Sequence, residues 1–289
     1  MKLKMIILIT IAIFAIVIIY ISTMWIEVSK KEIITDQLPE SIEALKIIHL
    51  ADLHGKDLGQ NNKKIIDTIN KEQPDFIVLT GDMINSTDDD GHATVALLQN
   101  LNNRYPVYYA YGNHDLYCRL HTPDVFSAYI NKVAETGCFI LDDEMLSFEK
   151  NGESIGIYGL SSIPYRKKVR KNKVRKDQFT AQFIETKIGS ASKERFDILL
   201  AHDPTWFQEY SDWKADLILS GHIHGGAIRL PFLGGVISPN RTLFPKYDSG
   251  IYHNNDSILY VSRGLGTSVE RIRIFNRPEI AVIVVKPSN

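Results

Sequence analysis

The sequence predicts an α/β domain carried behind a single apolar N-terminal helix. Three observations carry that prediction. A charge-free run from Met5 to Trp25 opens the chain. Short, apolar, β-prone runs follow, each ending abruptly in Asp, Asn or His, most often with glycine alongside. Segments with apolar residues at helical spacing separate the first three of these runs.

The opening run, MIILITIAIFAIVIIYISTMW, spans roughly 30 Å as a helix at about 1.5 Å rise per residue, the thickness of a bilayer's hydrocarbon core. A cleaved signal peptide has a shorter apolar region followed by a small-x-small site, a pattern this stretch lacks. Tyr20 and Trp25 suit an interfacial aromatic belt. Residues 1–26 are therefore expected to be a single-pass transmembrane signal anchor in the cell membrane. Lys2 and Lys4 precede it and Lys30 and Lys31 follow it, a weak charge bias; the expected side for the remainder is extracytoplasmic. Residues 27–45 are mixed and polar, a juxtamembrane linker or a first edge strand. Residues 46–289 are expected to form one domain.

Within that domain the apolar runs are LKIIHLADLH (Leu45 to His54), DFIVLTGD (Asp75 to Asp82), YPVYYAYGNHD (Tyr105 to Asp115), FDILLAHD (Phe196 to Asp203) and ADLILSGHIHGG (Ala215 to Gly226). Continuous apolar runs bounded by turn residues read as buried strands. Ile65, Ile66 and Ile69 between the first two, and ATVALLQNL between the second and third, have helical spacing. Strands alternating with helices give a largely buried sheet, in which ligands sit beyond the carboxyl ends of strands. The polar endings should thus gather on one rim. In the C-terminal third, SILYVSRGLGTS and RIRIFNRPEIAVIVV show strands with no helix between them, predicting an antiparallel portion or a second sheet packed on the first.

With 289 residues, 44% hydrophobic and 23% charged, the chain can bury a substantial core. Its net charge of −1 gives no global basis for nucleic-acid binding, which is not expected. Cys118 and Cys138 are too few for a disulfide framework and lack metal-type spacing; one bridge or two thiols both fit. The basic stretch YRKKVRKNKVRK (Tyr165 to Lys176) reads as a solvated face or as a contact for anionic headgroups or an anionic substrate.

The strand endings collect Asp52, His54, Asp82, Asn113, His114, Asp115, His202, His222 and His224. Oxygen and imidazole donors without thiolates suit Mn, Fe or Zn and argue against copper(I) or iron–sulfur chemistry. Taken singly, a DxH or a GD is weak; five motifs in order, each closing an apolar run, are not accidental. The order D52-L-H54, G81-D82, G112-N113-H114-D115, H202 and G221-H222-I-H224 resembles the signature of calcineurin-like metallophosphoesterases. The tail from RLPFLGGVISPNR to RIFNRPEI resembles their membrane-anchored bacterial branch, which includes phosphodiesterases acting on UDP-diacylglucosamine.

That resemblance implies a sandwich of two mixed β-sheets flanked by helices, and two divalent metal ions. Asp52, His54 and His224 would hold one ion, Asn113, His202 and His222 the other, with the Asp82 carboxylate between them. An anionic bridge offsets the repulsion of two close cations. The implied reaction is phosphoester hydrolysis by in-line attack of a hydroxide shared between the ions. His114 would stabilise the transition state or protonate the leaving oxygen, and Asp115 would orient its imidazole. The expected substrate is a phosphodiester or pyrophosphate, lipid-linked or part of a nucleotide sugar. A phosphomonoesterase or protein phosphatase uses the same centre, and a non-catalytic metal-binding scaffold is the alternative from another class. Arg241 and Arg263 are candidates for a second phosphate, as is Arg229. His49 reads as a core residue, His92, His121 and His253 as surface, and Asp203 as a loop partner of His202 or its neighbours. The acidic run Asp88 to Gly91 lacks Ca²⁺-loop spacing and reads as a helix start.

Overall fold

The computed structural model describes residues 2–85, 89–101, 104–164, 176–239, 241–267 and 273–288. The chain runs α1 (Lys2–Met24), β1 (Glu27–Thr35), β2 (Leu45–Leu50), α2 (Lys63–Glu72), β3 (Phe76–Thr80), α3 (His92–Leu101), β4 (Val107–Ala110), α4 (Asn113–His121), α5 (Pro123–Glu135) and β5 (Phe139–Ile140). It continues through β6 (Glu144–Lys150), β7 (Glu153–Leu160), α6 (Ala181–Ile188), β8 (Asp197–Ala201), α7 (Phe207–Asp212), β9 (Leu217–Ser220), β10 (Arg229–Leu230), β11 (Gly234–Gly235), β12 (Gly250–Asn254), β13 (Ser257–Val261) and β14 (Glu279–Pro287).

Two six-stranded mixed sheets result, ordered β1-β14-β2-β3-β4-β5 and β12-β13-β9-β8-β7-β6. Side-chain alternation explains how each is covered. In β3, Phe76 and Val78 face the space between the sheets, where they meet Ile198, Leu200, Leu217 and Tyr260. Ile77 and Leu79 face the other way, against Ile65 and Ile69 of α2 and Leu97 of α3. On the outer face of the second sheet, Leu199 and Ile218 pack under Ile184 of α6 and Tyr210 of α7. Strands buried on both faces read as unbroken apolar runs, as these do.

The five runs, however, divide between the sheets. Strands β2, β3 and β4 belong to the first, whereas β8 and β9 lie parallel in the second. The second sheet begins at β6, well before the C-terminal third, and β14 crosses back to pair antiparallel with β2. The rim is therefore a seam between two sheets rather than the edge of one. Within 27–45, Glu27–Thr35 forms the outermost strand of the first sheet, parallel to β14, burying only Ile33 and Thr35.

Helix α1 is apolar on all sides and long enough to cross a membrane; of its residues only Ser22 is buried. Cys118 and Cys138 are both buried thiols with no disulfide between them. His49 is fully buried beside Thr80, 2.7 Å from its Oγ1, and burial holds it down at about 3. Asp90 Oδ1 accepts from the His92 amide at the start of α3, while Asp88 lies outside the described residues, as does 165–175 of the basic stretch. His92, His121 and His253 are exposed.

Candidate metal centre

Each strand of the seam ends by handing its polar residues to a tight turn. Five of these residues, Asp52, His54, Asp82, His222 and His224, have left-handed backbones, with φ of 52°, 50°, 54°, 70° and 55°. Non-glycine residues hold that region only when surrounding structure over-determines it, and such positions cluster at functional sites. Gly55, Gly81 and Gly225 beside them share the left-handed region, whereas Gly221 and Gly112 supply space. A Cβ on Gly221 would lie 2.4 Å from Asp52 Oδ2, and one on Gly112 would lie 2.3 Å from Asp82 Oδ1. Larger residues there would push the two carboxylates out of place.

The turns converge on three overlapping buried groups whose donor atoms lie within 4.8 Å of one another: Asp52–His54–His224, His54–Asp82–His114 and Asp82–His202–His222. Asp52 Oδ1 is 3.3 Å from His224 Nε2 and 4.0 Å from His54 Nε2, and those two imidazole nitrogens are 3.2 Å apart. Asp82 Oδ2 is 3.2 Å from His202 Nε2 and 3.9 Å from His54 Nε2. His202 Nδ1 lies 2.6 Å from the Thr80 carbonyl, a bond that turns Nε2 towards Asp82. Asp82 Oδ1 accepts from the His114 amide, and Asp52 accepts from the His222 amide.

Electrostatics here is that of cation ligands held without water. Burial pushes Asp52 up to about 7 and His54 down to about 3. Burial, joined by the His54 charge, takes His224 well below its ordinary value. His202 departs from this pattern: burial opposes its protonation, but Asp82 overrides it and holds the imidazole up at about 10. Asp82 in turn is kept well below the carboxylate range by His202 and His114, against burial. The buried Asp82 carboxylate thus calls for positive charge beside it, which a cation would supply. The Asn113 Oδ1 atom is buried with no hydrogen-bond partner, which costs about 1–3 kcal/mol unless something electropositive meets it. Carboxylates, low-pKa imidazoles and a stranded carboxamide oxygen fit divalent metal ions.

Other predicted residues have different neighbours. Asp115 spends both oxygens on the scaffold: Oδ2 accepts from the Gly112 and Asp82 amides at 2.7 Å each, and Oδ1 from the Tyr109 hydroxyl. It staples the turn bearing Asp82 to the one bearing His114. Asp203 accepts from the Thr205 amide and hydroxyl and lies 3.9 Å from His222. Arg263, expected at a phosphate, is instead committed to Glu279 at 3.2 Å and Glu27 at 3.1 Å. Arg229 pairs with Asp248, and Arg241 is exposed on a loop.

Burial would raise Glu279, but Arg263 holds it below its ordinary value. Replacing Glu279 with Ala leaves the buried Arg263 only the part-exposed Glu27 as a counter-charge. Chemical denaturation should show a loss of about 3 kcal/mol, the low end for a broken buried pair. A depressed carboxylate stabilises above its unfolded pKa and ceases to as the pH falls through its folded one. The difference between Glu279→Ala and the parent should therefore shrink on acidification.

Two residues escaped the sequence reading. Arg273 is buried, donates to the carbonyls of Arg263 and Gly264, and lies 3.5 Å from His224 Nδ1. Asn276 is fully buried and donates to the His224 carbonyl at 2.6 Å. Both lie in RIFNRPEI, some fifty residues beyond the turn they support, so no local spacing marks them.

Fold and site together define a metal-dependent hydrolase with a binuclear type of centre. The calcineurin-like phosphoesterase family model matches residues 45–226, and the chain belongs to that family. A Bacillus subtilis (strain 168) protein, the uncharacterized metallophosphoesterase YkuE, is 31% identical over 281 residues, covering 93% of this chain and 89% of that protein. A Danio rerio transmembrane protein with metallophosphoesterase domain is 27% identical, over 88% of this chain and 56% of that one. Among solved structures, a phosphopantetheinyl hydrolase from Mycobacterium tuberculosis aligns over 79% of this chain and 91% of its own, with a TM-score of 0.45 and 15% identity. The chain is a metal-dependent phosphoester hydrolase.

Proposed function

We propose that the chain is a membrane-anchored phosphodiesterase or pyrophosphatase acting on a lipid-linked or nucleotide-sugar substrate, with its catalytic domain outside the cytoplasm. The observation that carries the hydrolytic part is Asp82, whose carboxylate belongs to two of the three donor groups at once. In this reading Asp52, His54 and His224 would hold one divalent ion, Asn113, His202 and His222 the other, and Asp82 would contribute to both; the donor set suits Mn, Fe or Zn. Two such ions supply a water-derived nucleophile near neutral pH and neutralise phosphoryl oxygens.

The chain's own residues do the rest. Asp82 keeps the two donor groups in register and fixes the His114 backbone by accepting its amide. The His114 ring, edge-on to His54 with centroids 4.6 Å apart, would stabilise the transition state or protonate the leaving oxygen. Asp115 is a positioning residue, through the two turns it joins. Exposed Arg241 is the candidate contact for a second phosphate, since Arg263 is already paired. The lipid-linked preference rests on α1 and on the likeness of the C-terminal tail to enzymes of the UDP-diacylglucosamine type.

A panel of bis-aryl phosphates, mono-aryl phosphates and nucleotide-diphospho-lipids, assayed with Mn, Fe and Zn in turn, tests this. Diesters or pyrophosphates should be cleaved faster than monoesters, with activity lost to chelator and restored by a divalent ion. Faster monoester cleavage would assign a phosphomonoesterase, and inactivity across the panel with every metal would leave only a binding role.

A further inference from the structure

Among the described residues, four large apolar side chains on loops of the C-terminal part are largely exposed to solvent. Phe232 is fully exposed, Leu233 is 64% exposed, Phe244 58% and Phe275 54%. They come from three separate loops and line one shallow groove, together with Leu230 and Lys246. Phe232, Phe244 and Phe275 also share a left-handed backbone, with φ of 68°, 47° and 54°. A bulky residue in that region is strained, and here the strain serves only to hold a ring out in water. Both penalties point the same way: the rings are presented to a phase other than water.

Their position identifies that phase. The segment bearing Phe275 is bonded to the end of α1: the Phe275 amide donates to Ser22 Oγ at 2.9 Å. Two residues on, Arg277 donates to the carbonyls of Trp25 and Ile26, each at 3.1 Å. Tyr20 and Trp25, both exposed, mark the level at which a spanning α1 would leave the bilayer. A spanning α1 would thus hold Phe275 at headgroup depth, and Phe232, Leu233 and Phe244 share its groove. Apolar and aromatic rings with a lysine at their edge are the composition of an interfacial lipid contact.

We propose that these three loops form a second, non-helical membrane contact, inserting Phe232, Leu233, Phe244 and Phe275 into the lipid surface beside α1. The partner is the bilayer on the side that faces the catalytic domain. Asn276, one residue after Phe275, donates to the His224 carbonyl, so the same segment touches the lipid contact and the histidine turn. A phosphoester on a lipid headgroup would meet the centre without leaving its membrane. This placement rests on the reading that α1 spans the bilayer.

The test uses the full chain in proteoliposomes, with variants Phe232→Cys and Phe244→Cys, each adding one exposed cysteine that carries a nitroxide. Phe139→Cys is the control, because Phe139 is exposed on β5, at the opposite edge of the first sheet from β1. The parent chain, whose two cysteines are buried, gives the blank. Collision rates with oxygen, which partitions into lipid, and with a nickel chelate, which stays in water, are compared by electron paramagnetic resonance. The oxygen-to-nickel ratio should be several-fold higher at positions 232 and 244 than at 139. Ratios equal to the control, or shielding from both reagents as under a second protein, would overturn the proposal. Carbonate extraction of the same vesicles tests α1 separately. A chain that resists extraction while its labels face water keeps its anchor and loses the loop contact. A chain released by carbonate from vesicles in which its labels faced lipid does the reverse.

Discussion

Asp82→Ala should lose at least one of the two metal ions per chain and with it about 10³-fold or more of phosphodiester turnover. Among the described residues, Asp82 and His54 alone belong to two donor groups, and of the pair only Asp82 brings negative charge. Without it the Asp52–His54 side and the His202–His222 side are two imidazole-rich clusters with no anion between them. Two cations cannot be held a few ångströms apart on that basis. The two-ion arrangement contributes several kcal/mol to the transition state, and each 1.4 kcal/mol or so is tenfold in rate. Metal content per chain by inductively coupled plasma mass spectrometry, read beside kcat on a bis-aryl phosphate, checks both halves. Full metal occupancy in the variant would remove Asp82 from the bridging position.

How much of this centre could be read from sequence depends on how its parts are coded. Buried strands must be apolar throughout, and a strand that ends at a ligand turns polar within a residue or two. LTGD, LAHD and LSGHIHGG therefore announce their role. Which sheet each strand joins is not coded in that way. Strands β3 and β8 are both buried at all five positions, and nothing in FIVLT or DILLA distinguishes one sheet from the other. The return of β14 to the first sheet is equally silent, since EIAVIVV is the same kind of run. Strand β1 was ambiguous for the opposite reason: as an outermost strand it keeps most of EVSKKEIIT polar.

GHIHGG illustrates a subtler gap. Its glycines suggest freedom of the backbone, yet His222 and His224 themselves adopt positive φ, and Gly221 is needed because the Asp52 carboxylate occupies the space of its missing Cβ. A close approach between residues 52 and 221 leaves no trace in either stretch alone. Arg273 and Asn276 belong to the same category. Their partners are main-chain carbonyls, of the remote histidine turn for Asn276 and of the nearby Arg263–Gly266 bend for Arg273, and a carbonyl looks identical whatever residue carries it.

His114→Ala should behave in the opposite manner to Asp82→Ala, losing about 10²–10⁴-fold in kcat while both ions stay bound. The His114 amide, which anchors Asp82, survives the substitution, so the donor groups keep their frame. What disappears is an imidazole within ligand range of His54 and Asp82, and the kinetics should say what it does there. A proton donor matters most when the departing oxygen is a strong base. The loss should therefore be largest for alkyl esters and smallest for nitrophenyl esters, whose phenolate leaves unaided. A loss independent of the leaving group would instead place His114 at the phosphoryl oxygens as a hydrogen-bond donor. Loss of an ion would make it a ligand, as its place in the His54–Asp82 group permits on geometry alone. The three outcomes separate because metal content and leaving-group dependence are independent measurements, and only retained metal with a steep dependence assigns the proton to His114.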